Sequence, residues 1–93
     1  MHNEKNILVT INLYGPFRRY SLDNEIKIKL WSGATLTDVR TTLAAQISQQ
    51  HGEFLDHELL AQSIFADDCT MLSADHILYE DAVLTILPPV CGG

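Results

Sequence analysis

Hydrophobic and polar positions alternate at the start of the chain. In ILVTINLY, residues 7–14, Ile7, Val9, Ile11 and Leu13 fall on one side, with Leu8, Thr10, Asn12 and Tyr14 on the other. A period of two returns every second side chain of an extended backbone to the same face, so this stretch predicts a half-buried strand. Gly15-Pro16 stops it. A second alternation, Ile26, Ile28 and Leu30 against Glu25, Lys27 and Lys29, predicts an antiparallel partner joined by a long loop. The period then changes: Leu36, Val39, Leu43 and Ile47 recur at three- and four-residue spacing, the pattern of one helix face. That helix should run from Leu36 to about Gln50, with Gly52 marking its end. Thr35 and Asp38 have capping-box spacing, in which hydroxyl and carboxylate each take a backbone N–H left free at the helix start.

Farther along, FLDHELLAQ predicts a short helical turn, and SIFADD and CTML predict short extended pieces interrupted at Asp67-Asp68. HILYEDAVLTILPP reads as a compact turn at Tyr79-Glu80-Asp81 and a final strand from Val83 to Leu87, ended by Pro88, which has no N–H for a ladder. A hairpin, one long helix and later strands pack most simply with the helix across one mixed sheet and the last strand beside the first. The expected class is α+β, a ubiquitin-like β-grasp, as a single domain over residues 1–93. In the last strand Leu84 and Ile86 should face the helix, leaving Val83, Thr85 and Leu87 on the other sheet face with Tyr14. Leu87 and Tyr14 are therefore the expected partner-binding residues of an exposed apolar patch.

Composition narrows the function. At 93 residues, 46% hydrophobic and 19% charged, the chain has the makeup of one small folded domain. Its net charge of -6, against no basic cluster larger than Arg18-Arg19, opposes phosphate backbones and anionic lipid, so neither nucleic acid nor membrane is expected as a partner. The N-terminus, MHNEKN, lacks the basic-then-apolar order of a signal peptide, and no apolar run reaches the ~20 residues of a membrane span, so a cytoplasmic protein is expected. Cys69 and Cys91 have neither CxxC nor zinc-type spacing and are expected to be thiols. The histidines His2, His51, His57 and His76, even with Glu53 and Glu58 near two of them, do not make a zinc helix, so no metal is expected. No nucleophile–His–acid set or phosphate-binding glycine loop occurs, so no complete active site and no bound cofactor are expected.

The last six residues, PPVCGG, carry the chemistry. Pro88 and Pro89 fix their φ angles and stiffen an extended base, while Gly92 and Gly93 have no Cβ and can thread a narrow channel. Six extended residues reach at most about 20 Å from the fold. Pro88 and Pro89 at the base and Gly92 and Gly93 at the tip thus give the tail a stiff start and a thin, flexible Gly-Gly end.

The stretch DHILYEDAVLTILPPVCGG resembles the end of the small subunit of molybdopterin synthase, a member of the MoaD/ThiS family of ubiquitin-like sulfur carriers whose tail reads PPVxGG. VTINLYGPFRR and TLTDVRTTLAAQ resemble that family's opening strand and turn and its capped helix. The resemblance implies that Pro88, Pro89, Val90, Cys91 and Gly92 insert into a partner's active site and that an ATP-dependent adenylating enzyme activates Gly93, the reacting residue, as an acyl-adenylate, which is then converted to a thiocarboxylate. ATP would be used by that partner. The resemblance further implies a large catalytic subunit, in a heterotetramer, that uses the sulfur to build the dithiolene of molybdopterin. Cys91 departs from the small residues usual at its position in the family; a thiol there either attacks the activated Gly93 carbonyl or forms a disulfide with a partner cysteine, or it simply fits the channel, the reading favoured because the adjacent acidic terminus would raise its pKa. Two alternatives share the same activation: a carrier for another sulfur pathway such as thiazole, cysteine or a specialised metabolite, and a ubiquitin-like modifier conjugated through Gly93.

Overall fold

The computed structural model describes residues 5–51, 57–68 and 70–89. The helix end at Gly52, Cys69, and the tail residues Val90, Cys91, Gly92 and Gly93 lie outside the described residues. In chain order the elements are β1 (Asn6–Asn12), a 3-10 helix (Gly15–Tyr20), β2 (Glu25–Trp31), β3 (Ala34–Thr35), α1 (Leu36–His51), α2 (His57–Gln62), β4 (Ile64–Ala66), β5 (Met71–Leu72), β6 (Ile77–Leu78) and β7 (Ala82–Leu87).

A five-stranded sheet is ordered β2-β1-β7-β4-β5. β1 runs antiparallel to β2, from Asn6 opposite Trp31 to Asn12 opposite Glu25, and parallel to β7, from Val9 beside Ala82 to Asn12 beside Thr85. The last strand is thus inserted beside the first, as the sequence predicts, and the fold is an α+β, ubiquitin-like β-grasp. α1 covers one sheet face. Ile7, Val9, Ile11 and Leu13 of β1 and its extension, Ile26, Ile28 and Leu30 of β2, and Leu84 and Ile86 of β7 are buried against Leu36, Val39, Leu43 and Ile47 of α1. Each such side chain contributes roughly 1.5–3 kcal/mol by leaving water.

Three features add to the sequence expectation. The loop between β1 and β2 is itself core: its 3-10 helix buries Phe17 and Tyr20. β3 and β6, of two residues each, form a second small sheet, with Ala34 opposite Leu78 and Thr35 opposite Ile77. The short helix and extended pieces expected after α1 are present, and the two strands pair as a minimal hairpin in which Phe65 faces Leu72 and sits in the core. Arg40 of α1 holds this segment. Its Nη1 donates to the Leu60 carbonyl and, at 3.0 Å, to that of Ser63, and its guanidinium lies 5.2 Å from the Phe65 ring centroid. Partial burial lowers the Arg40 pKa from its ordinary value, because desolvation disfavours the charged guanidinium.

The capping box is present. The Thr35 N–H donates to Asp38 Oδ2 at 2.9 Å, and the Asp38 N–H donates to Thr35 Oγ1 at 3.3 Å. The Leu36 and Thr37 N–H groups donate to the carbonyls of His76 and Ala74, both at 3.1 Å, so loop 73–76 completes the cap. Asp38→Ala should therefore lower the unfolding free energy by about 1 kcal/mol, seen as an earlier urea midpoint with an unchanged slope. An unchanged midpoint would mean that the loop carbonyls alone suffice.

Candidate functional site

Because β7 runs parallel to β1, both strands finish at the same end of the sheet, and the chain leaving Leu87 passes the turn that follows Tyr14. Gly15 takes φ +61°, a left-handed conformation that glycine adopts without a Cβ clash. A Cβ at this position would lie 3.1 Å from Cγ of Pro88, so the turn and the proline ring pack directly together. Pro88 and Pro89 are both half-buried. The base of the PPVCGG segment is thereby seated on the loop between β1 and β2, a contact that local sequence periodicity does not reveal.

On the sheet face opposite α1, register assembles an apolar surface beside this exit. Leu87 pairs with Ile64, Thr85 with Ala66, and Ala66 with Met71. Tyr14 continues extended from β1 with φ -128° and ψ 156°; one alternation past the Asn12–Thr85 pair, it is level with Leu87. Tyr14, Leu87 and Ile64 thus form one row across three strands, next to the tail base. Val83 lies two residues before Thr85 on the same face. Tyr14 is 55% exposed, Ile64 43%, Met71 66% and Val83 59%, while Leu87 is half-buried. The structure brings together the two residues expected to bind a partner and adds Ile64 and Met71. The short strands carrying those two have too little alternation to show which way they face.

The face has charged flanks. On the β2 side a surface notch of about 400 Å³ is lined by Asn12, Leu13, Tyr14, Gly15, Arg18, Asp23 and Asn24. Arg18 Nε donates to Asn24 Oδ1 at 3.3 Å, and Asn24 itself takes φ +60°, which the short polar side chain of asparagine tolerates. On the β4–β5 side a cavity of about 420 Å³ is lined by Asp67, Asp68, Leu72, His76, Leu78, Ala82, Val83 and Leu84. The carboxylate of Asp67 accepts from the Thr70 N–H at 2.9 Å, so Asp67-Asp68 opens a turn, as the sequence suggests.

Among the described residues no three His, Cys, Asp or Glu side chains gather where they could hold a metal ion. Of the histidines considered as ligands, His57 and His76 are both exposed; Glu53 and the His51 side chain lie outside the description. Among the described residues no helix is long and apolar enough to cross a membrane. The described part of the site consists of backbone placement and apolar surface.

No family model matches the chain, and no curated protein matches it in sequence. Solved structures do match. SAMP1 from Haloferax volcanii superposes with a TM-score of 0.66 at 16% identity, covering 92% of this chain and 99% of that one. A Pyrococcus furiosus protein provisionally named molybdopterin converting factor, subunit 1, superposes with a TM-score of 0.62 at 24% identity, covering 90% of this chain and 99% of that one. At these identities the likeness establishes the shared β-grasp fold.

Gly15→Ala tests the seat of the tail. Left-handed strain and the approach to Pro88 together should lower stability by about 1–2 kcal/mol in urea unfolding. An equal loss for Gly15→Ala in a Pro88→Ala background would show that the Pro88 contact is immaterial.

Proposed function

We propose that this protein is a sulfur carrier of the molybdopterin-synthase small-subunit type. Gly93 is adenylated by an ATP-dependent partner enzyme, converted to a thiocarboxylate, and used as the sulfur donor within a complex with a large catalytic subunit. The observation that carries the reading is the joining of two features: a β-grasp body whose last strand leads into PPVCGG, and an exposed apolar row, Tyr14–Leu87–Ile64, where that strand ends. A carrier needs both. A carboxylate has an unperturbed pKa of about 3.3–3.7, so it is ionised at neutral pH and resists nucleophiles until ATP makes it a mixed anhydride. That activation takes place in another protein's pocket, which requires an exposed docking surface beside a narrow reactive end.

The proline pair supports insertion, because fixed φ angles reduce the entropy lost when the segment is captured. The apolar row supplies the affinity, since a few apolar and aromatic anchors dominate most protein interfaces. The β-grasp fold is shared with SAMP1 and with the Pyrococcus furiosus protein alike, and it is the PPVCGG ending that favours the carrier reading. Cys91 fits the reading as a small residue of the inserted segment. No metal or cofactor is required on this chain, ATP being consumed on the partner.

Intact-mass spectrometry of the full-length protein, after incubation with ATP, its adenylating enzyme and a sulfide source, should show a gain of about 16 Da. The tandem spectrum should place it on Gly93, because oxidation of Cys91 or a methionine adds nearly the same mass. A product linked through Gly93 to lysines, with no sulfur ever acquired, would replace the carrier reading by the modifier one.

Docking has its own test. Val83→Asp and Leu87→Glu should weaken binding to the adenylating enzyme by tenfold or more, about 1.4 kcal/mol. For exposed Val83 the fold should stay within about 0.5 kcal/mol of wild type. Unchanged affinity in both variants would exclude this face.

A further inference from the structure

We propose that the partner docking on the apolar row also presents an Asp or Glu carboxylate to Arg18, seated in the notch beside Tyr14. The inference rests on the docking face of the carrier reading and specifies the chemistry of the surface that covers it.

All six Lys and Arg side chains of the chain are at described positions, and most are engaged. Lys5 pairs with Glu80 at 2.6 Å, and Lys27 pairs with Glu25. Arg40 is taken up by two carbonyls, and Arg19 donates through Nε to the Pro16 carbonyl at 3.3 Å and lies 5.9 Å from the Tyr20 ring centroid. Lys29 lies on β2 opposite Leu8, three alternations of the sheet away from the Tyr14 row. Arg18 is exposed and bonds only to a neutral group, Asn24 Oδ1; among the described residues no carboxylate pairs with it.

The surroundings suit a single carboxylate. Asn24, with its Oδ1 accepting from Arg18, keeps its amide hydrogens as donors, and Asn12 supplies a second amide to the same notch. Arginine binds carboxylates through parallel N–H donors, and such charge-assisted bonds are stronger than neutral ones. Asp23 also lines the notch and opposes a more highly charged anion such as a phosphate. Tyr14 borders both the notch and the apolar row, so one partner surface can cover the two together. On a chain of net charge -6, a positive group at the rim of an apolar face sets orientation: it attracts an acidic flank while the acidic rim at Asp67 and Asp68 repels one.

The test measures association of the full-length protein with its adenylating enzyme by stopped flow at about 50 and 500 mM salt, where the screening length falls from more than 10 Å to a few ångströms. Arg18→Glu should slow association at least tenfold at low salt, with most of the difference lost at high salt. Arg18→Gln should fall between. Asp68→Lys, on the opposite rim, should not slow it. Unchanged melting of the Arg18 variants checks the fold. Equal rates and equal salt dependence for wild type and Arg18→Glu, with the Val83→Asp effect intact, would overturn this inference and leave the carrier reading standing. If wild type fails to bind the enzyme at all, both fall. A wild-type dimer in sedimentation that dissociates in Arg18→Glu would make a second copy the occupant and also overturn it.

Discussion

The parallel pairing of β1 with β7 is the constraint on which the rest of the molecule depends. It joins the two ends of the sequence, so its loop-closure cost is met only when the intervening helix and strands are already supplying contacts. Once made, it puts β7 between β1 and β4, with both edges of its backbone hydrogen-bonded. Direction matters as much as contact. A parallel β7 delivers Leu87 and Pro88 to the end of the sheet where β1 also finishes; an antiparallel strand would have delivered them to the opposite end. The meeting of Gly15 with Pro88 and the row from Tyr14 to Ile64 both follow from that direction.

The sheet then divides the labour between its faces. On one, Leu84 and Ile86 join the core under α1 and hold the strand in place. On the other, Val83 and Leu87 are spared any part in that core and are free to be apolar for a different reason. Isolated exposed apolar residues are ordinary on soluble proteins, but a row aligned across three strands beside a proline-braced chain exit is a surface with a direction. Arg40 serves this arrangement at a distance. By tying the Leu60 and Ser63 carbonyls to α1 and covering Phe65, it fixes where β4 begins and hence where Ile64 stands.

The proposed chemistry suits a chain of this size. A domain of 93 residues has interior enough for one small core, and building a dry catalytic pocket would compete with that core for the same apolar side chains. A carrier avoids the conflict by keeping its reactive group on an extended segment and leaving activation to a larger partner. The fold's contribution is then positional: it fixes the base of the segment and orients the surface around it.

Much of this was legible in the sequence because it is local. The alternation in β1, β2 and β7, the helical spacing of Leu36, Val39, Leu43 and Ile47, and the Thr35–Asp38 cap all follow from the covalent geometry of a few adjacent residues. The same geometry placed Leu84 and Ile86 inward and Leu87 outward, and the order of elements left few compact topologies. Other features were decided only in three dimensions. Ile64 and Met71 belong to the docking face through ladder registers between strands of two and three residues, too short for a period to show. The burial of Phe17 and Tyr20, the β3–β6 pair, the contact of Gly15 with Pro88 and the notch around Arg18 each join residues from different elements. Periodicity reports which way a side chain points from its own backbone. What it meets there is set by the register and packing that satisfy the whole core at once, and no local stretch of sequence contains that information.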